Sequence, residues 1–431
     1  MRNSFQCIVS QSATTTSEGR EPTMGNNMSR RQFIGTAAMT GAALTGMSNA
    51  LAAAQAPKGA ADWDEKNGPA PAAPDAPQAL PLRSGAIPII DSHIHLFDQT
   101  RPVFSGYTGG LFYRQVNKPS TPAAYAALAR PAGIVGAIVV ESAAQFIDDN
   151  LWYLEVSRDN PIMVGVSGNL DPGSTDFTKY LSHFHRDPLF RAIRSSRFYS
   201  RDASGKVALN PAQVANLKLL AQADLALDTA NPSMDLMNAN VMLADAVPDL
   251  RIIMDHLPSY DPTNDSGPNG QAAYEAVIKE MAARPNIFVK LTEVYHPTPG
   301  DNGIIVKNYE FLRARLEYLF QAFGEDRVMF GTDYPNSYGV ATISEEVGLM
   351  QQFYSTKTRA QQEKYFWQNS SKIYKWVKRS DDQPAPLAQG KPAPPAPAGR
   401  GGGGGRGGPG GPGGPGGPGG SGASGGARPQ V

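Results

Sequence analysis

One cysteine, Cys7, stands in a chain of 431 residues. It lies upstream of a segment that reads as cleavable, which removes disulfides, thiolate nucleophiles and cysteine-bound zinc from the mature protein. An excess of one charge is also missing, since 39 basic side chains meet 39 acidic ones. That balance favours neither nucleic acid nor an anionic membrane surface as a partner. No long apolar run is present either. The weakly apolar Ala/Gly/Met stretch to about Met47 is too short and too rich in glycine to remain in a membrane. Ser167 sits in Gly165-Val166-Ser167-Gly168, without the Gly-x-Ser-x-Gly spacing of a nucleophile elbow, so a serine hydrolase is not expected.

What the N-terminus does carry is an address. Ser29-Arg30-Arg31-Gln32-Phe33-Ile34-Gly35 is followed by the weakly apolar stretch and by small-residue sites at Ala50-Leu51-Ala52 and Ala54-Gln55-Ala56. The pattern resembles a bacterial twin-arginine signal, which predicts export through the twin-arginine machinery and a periplasmic or secreted protein. Residues 1–56 are therefore read as the export region and 57–85 as a Pro/Ala-rich linker. Residues 86–379 form the domain, and 380–431 a Pro/Gly-rich tail with almost nothing to bury, read as disordered.

Eight short apolar runs punctuate the domain: Ala86–Asp91, Ile134–Glu141, Ile162–Leu170, Phe190–Phe198, Ala223–Asp228, Arg251–His256, Asn286–Thr292 and Arg327–Asp333. Helix-patterned segments follow most of them, and two more close the chain at Ser344–Tyr354 and Arg359–Val377. Strands alternating with helices imply a parallel sheet, and eight repeats imply closure into a (β/α)8 TIM barrel. Such barrels work at the C-terminal ends of their strands. There this sequence places His93, His95, Glu141, Arg194, Asp228, His256, Lys290 and Asp333, with His296 on the loop beyond strand 7. His93 and His95 are two apart on one strand and so project together. Alternation likewise puts His256 on one face with Ile252 and Met254, taken as an inward row. Barrel closure makes Asp333 a neighbour of the two histidines. His183 and His185, on a helix, are expected to face solvent.

The motifs Ile90-Asp91-Ser92-His93-Ile94-His95, Ile253-Met254-Asp255-His256, Val289-Lys290-Leu291-Thr292 and Phe330-Gly331-Thr332-Asp333-Tyr334-Pro335 together resemble the amidohydrolase superfamily, in its amidohydrolase-related branch that contains lactonases. The resemblance covers about Ala86–Val377. It implies that the strand-1 histidines and Asp333 hold a metal or activate water, and that His256 binds or polarises substrate. Two departures qualify it. Asp228 stands where many relatives carry a strand-5 histidine, and Phe190–Phe198 lacks the lysine of two-metal sites. The implied site therefore holds one divalent ion, zinc first, on His93, His95 and Asp333 with Glu141 or water, or works without metal. Asp333 is the expected base, with Arg194, Asp228, Lys290 and His296 as substrate contacts. Glu141, Arg194 and Lys290 also read as rim ion pairs. The expected reaction is opening of a small-molecule lactone of a sugar acid or carboxylated ring. A metal-dependent non-oxidative decarboxylase and a non-catalytic envelope protein are the alternatives.

Overall fold

The computed structural model describes residues 85–102, 119–142, 147–260, 270–295 and 309–392. The export region, nearly all of the linker, His296 and residues 393–431 lie outside the described residues. Eight parallel strands form one sheet: β1 (Ile89–Ile94), β2 (Ile134–Val140), β3 (Met163–Asn169), β4 (Phe190–Arg194), β7 (Ala226–Thr229), β8 (Ile252–Met254), β9 (Ile287–Leu291) and β10 (Val328–Phe330). Each corresponds to one of the eight apolar runs. The fourth run stops at Arg194, and beyond it a small antiparallel hairpin, β5 (Tyr199–Arg201) with β6 (Val207–Leu209), was not foreseen. The sheet closes through His95 N–H to Tyr334 C=O (2.6 Å) and Asp333 N–H to His93 C=O (2.9 Å). The protein is a (β/α)8 TIM barrel whose closing seam joins the two ends of the domain's sequence.

Helix starts follow local chemistry. Thr121 and Asn210 cap helices that open on Pro122 and Pro211, where a missing N–H costs nothing. Thr342 and Thr358 form capping boxes with Glu345 and Gln361. Inside the barrel Ile90, Ile138, Val164, Ala192, Ala226, Ile253 and Met329 make an apolar layer, sealed below by Ile373, Tyr374 and Trp376. A separate, larger core lies between sheet and helices. Ile252 and Met254 belong to that outer core, so the inward residues of β8 are Ile253 and then Asp255, contrary to the alternation read from the sequence.

The tail begins later than its composition suggests. Gln383 is buried, donating to Val135 C=O and Pro161 C=O (2.9 Å each) and accepting from the Arg379 and Ser380 N–H groups. Leu387 N–H donates to Ser371 Oγ and Lys391 N–H to Asp224. For residues 381–392 the expectation of disorder is thus corrected: polar side chains and backbone, which a hydropathy reading ignores, fasten them under the barrel. His185, expected in solvent, is buried there, its Nε2 3.3 Å from Lys391 C=O.

Candidate active site

Above the apolar layer sits a layer of charge. Lys290 Nζ, fully buried, lies 2.9 Å from Asp228 Oδ1, 3.0 Å from Asp255 Oδ1 and 3.2 Å from His93 Nδ1. Asp228 also accepts from Ser167 Oγ and Tyr374 OH, at 2.5 Å each. Burial lifts the Asp228 carboxyl to about 6 despite the Lys290 charge beside it. Asp228 and Lys290 were expected to touch substrate. Instead they are spent on each other within the barrel, because their strand positions point inward below the rim.

At the rim, His93 Nε2 is 3.2 Å from His95 Nε2, and Asp333 Oδ1 is 3.4 and 3.1 Å from those two nitrogens. His93 fits at this level because Gly331 leaves room; a Cβ there would stand 3.0 Å from the His93 Cβ and 2.7 Å from Thr292 Cγ2. His95 Nδ1 lies 3.0 Å from Val140 C=O and so carries its proton, which leaves Nε2 a lone pair. Burial holds both rings neutral: His95 falls to about 3 and His93 well below its usual range, helped by Lys290. Asp333 moves the other way. Burial raises it to about 7, against a hydrogen bond with Glu293 and the charge of Arg194. Its Oδ2 is buried with no hydrogen-bond partner.

Asp91, below the pair, receives Tyr125 OH (2.8 Å), Thr332 Oγ1 (2.6 Å) and two backbone N–H groups. It ties strand 1 to strand 10. The rim is also strained. His256, Glu293 and Asp333, at the ends of three successive barrel strands, have φ of 58°, 53° and 55°. Non-glycine residues rarely adopt such values, at about 1–3 kcal/mol each. That conformation, and not strand alternation, brings the His256 ring 4.6 Å from the His93 ring. Its Nδ1 pairs with Thr292 Oγ1 at 2.7 Å.

Three groups among the described residues have metal-ligand spacing: His93/His95/Asp333, His93/Asp255/His256 and His256/Glu293/Asp333. Glu141, expected as a ligand, is in none of them. Its Oε1 accepts from Arg194 Nε at 2.6 Å, and its carbonyl from Arg194 Nη2. The pair forms one wall of a cavity of about 450 Å3 that also takes in Asn169, Arg197, Tyr199 and Asn231. Asp255 and Glu293 were missed as site members. Asp255 adjoins the histidine that was chosen, and Glu293 reaches the site only through its left-handed backbone, which no pattern in the sequence announces.

The family model described as Amidohydrolase matches residues 90–376. The chain belongs to this family. As a member it is a hydrolytic enzyme acting on small molecules. An uncharacterized protein of Sinorhizobium fredii is 25% identical over 268 residues, covering 58% of this chain and 85% of that protein. L-fucono-1,5-lactonase of Burkholderia multivorans is 25% identical over 96 residues, 22% of this chain and 32% of the lactonase, so the match spans about a third of that enzyme. A Burkholderia multivorans amidohydrolase solved with bound zinc superposes with a TM-score of 0.57 at 18% identity, covering 67% of this chain and 99% of that one. That likeness is one of fold.

Proposed function

We propose that this amidohydrolase opens a lactone, with Asp333 as the base that takes a proton from water. The observation that carries the reading is the His93/His95/Asp333 cluster, three buried donors within 3.4 Å with one Asp333 oxygen unpartnered. The named lactonase among the relatives supports the ester class.

The donor set suits one zinc ion. Ligands about 2.0–2.1 Å from a tetrahedral centre stand ~3.3 Å apart, and the three separations here are 3.1 to 3.4 Å. Neutral imidazoles and a carboxylate are the donors zinc takes. His93, His95 and Asp333 would hold it, and it would supply Lewis acidity toward water and carbonyl. His93 would then carry its proton on Nδ1, facing Asp255 Oδ2 at 3.7 Å, where Lys290 now competes for the same nitrogen.

The protein's own steps follow from charge. Asp333, held near neutrality, is a carboxylate above about pH 7 and a strong enough base to take the water proton as oxygen attacks the carbonyl carbon. Negative charge then grows on the carbonyl oxygen. His256, neutral because burial holds it well below its usual range, can give an N–H to that oxygen. When the ring C–O bond breaks, the proton on Asp333 passes to the departing alkoxide. Arg194, on the cavity wall, would take a carboxylate on the substrate.

A panel of sugar-acid and carboxylated-ring lactones, run beside aromatic acids with metal analysis of the purified protein, tests this. Ester opening supports the reading; carbon dioxide release alone would replace it with decarboxylation, and silence on both panels would leave it without support. We also propose export through the Arg30-Arg31 signal to the periplasm. Lysines at both positions should then trap precursor in the cytoplasm.

A further inference from the structure

The opposite end of the barrel carries a second cavity, of about 930 Å3, between the start of β4 and the strap formed by residues 386–392. Its lining holds five lysine and arginine side chains, Arg186, Arg191, Lys375, Lys378 and Lys391, and no carboxylate. Arg191 is the unusual one. It is 5% exposed, and its only hydrogen bond among the described residues runs from Nε to its neighbour's carbonyl, Phe190 C=O, at 3.0 Å. Among the described residues neither terminal amino group has an ion-pair partner within 4 Å. Residue 390 has to be glycine for the strap to pass, because a Cβ there would fall 1.7 Å from Arg191 Nη1.

The nearby carboxylates are already committed. Asp224 takes Arg251 and Lys375 at 2.7 Å and the Lys391 N–H at 3.1 Å. Asp187 takes Arg158 and the Leu189 N–H. Asp224 and Asp187 act on Arg191 only through space, so its guanidinium keeps a hydrogen-bonding fork that no carboxylate among the described residues occupies, and such a fork matches the oxygens of phosphate or carboxylate. We propose that this cavity binds a small, multiply charged anion, a phosphate or a polycarboxylate, with Arg191 as its buried anchor and Lys378 and Lys391 as outer contacts. Burial pulls Arg191 below the ordinary guanidinium range, by more than the nearby Asp224 charge raises it. The anion would bridge barrel and strap, so its binding stabilises the fold by mass action.

The test uses the full chain at constant ionic strength, titrated separately with inorganic phosphate and with citrate, reading calorimetric heat and Tm. At least one should bind saturably and raise Tm; the tighter of the two identifies the source as phosphate or polycarboxylate. Arg191→Met should weaken binding at least tenfold while its unliganded Tm does not fall, since it removes a charge whose burial costs more than Asp224 returns through space. Lys378→Glu, at an exposed position, should weaken binding about tenfold with an unchanged unliganded Tm, and it decides the matter alone if the first variant does not fold. Absence of saturable binding by both anions, or unchanged affinity in either variant, overturns the proposal.

Discussion

Two sets of buried charged groups lie one above the other in this barrel, and they differ in how completely they are paired. In the lower layer Lys290 touches two carboxylates and an imidazole, and Asp228 collects a hydroxyl, a phenol and the ammonium; Asp255, at the boundary beside His93, holds the ammonium through Oδ1 and leaves Oδ2 without a hydrogen-bond partner. At the rim, neutral histidines crowd a carboxyl whose outer oxygen has no partner, on backbone held at positive φ. Saturated networks fix one geometry, whereas a buried group left short of partners is held ready for something the chain itself does not supply. The lower layer is therefore scaffold, and the rim is machinery.

The sharpest way to break that contrast is Lys290→Met. Removing the ammonium leaves Asp228 and Asp255 buried without a cation, and loss of one partner from such a network costs about 3–5 kcal/mol. Urea denaturation should show a loss of that size. Wild-type stability in this variant would mean that the layer is not a scaffold.

Asp333→Asn should do the reverse. Turnover on a confirmed lactone should fall about a hundredfold or more, the usual scale for a positioned base, with a smaller change in KM. Stability should not fall, because the change removes a buried carboxyl that burial already holds near neutrality. Near-wild-type turnover would remove Asp333 from the mechanism while leaving the fold untouched.

The sequence announced the scaffold's positions better than their roles. All eight barrel strands are legible as apolar runs, since a parallel strand covered on both sides must be apolar. The His93-x-His95 pair and Asp333 are legible because strand ends and barrel closure are properties of the fold. Where reading failed, the cause was local backbone. Strict alternation placed Ile252, Met254 and His256 on one inward face, yet a left-handed residue at 256 breaks the period and lets both Asp255 and His256 face the site. Glu293 is hidden by the same device. Depth was illegible too: Asp228 and Arg194 are register partners on adjacent strands, yet the long Arg194 side chain reaches the cavity while the short Asp228 carboxylate stays buried among Lys290, Ser167 and Tyr374.

The floor offers a further contrast with the rim, because there it is a polar strap that completes the barrel. A chain stopping at Ser380 loses Gln383 and strands the Val135 and Pro161 carbonyls, at about 1–3 kcal/mol for the buried acceptors left unpaired. A chain stopping after Pro392 keeps those bonds and should match the full-length Tm. Equal Tm for the two truncations would show that the strap contributes nothing to stability.

The mildest test needs no mutation, because the two layers should titrate in different observables. Asp333, raised to about 7, must be ionised to act as base. Turnover should then fall below pH 7, to roughly a tenth of its plateau at pH 6, and Asp333→Asn should lack that limb. Zinc added to metal-free enzyme should move the limb to lower pH, since a nearby cation favours the carboxylate. Asp228, raised to about 6 by burial, should leave no such mark on turnover and should appear in stability. Its folded pKa lies above its unfolded value, so the folded state binds the extra proton between about pH 4 and 6. The stability it contributes is therefore complete below about pH 4 and is lost as pH rises through 6, opposite in sign to Asp224, whose Lys375 and Arg251 partners hold it below its usual range. Asp228→Asn should flatten the stability profile across pH 4 to 6 and leave the turnover limb in place. If it moved the turnover limb instead, the lower layer would belong to the machinery and the division drawn between the two layers would fail.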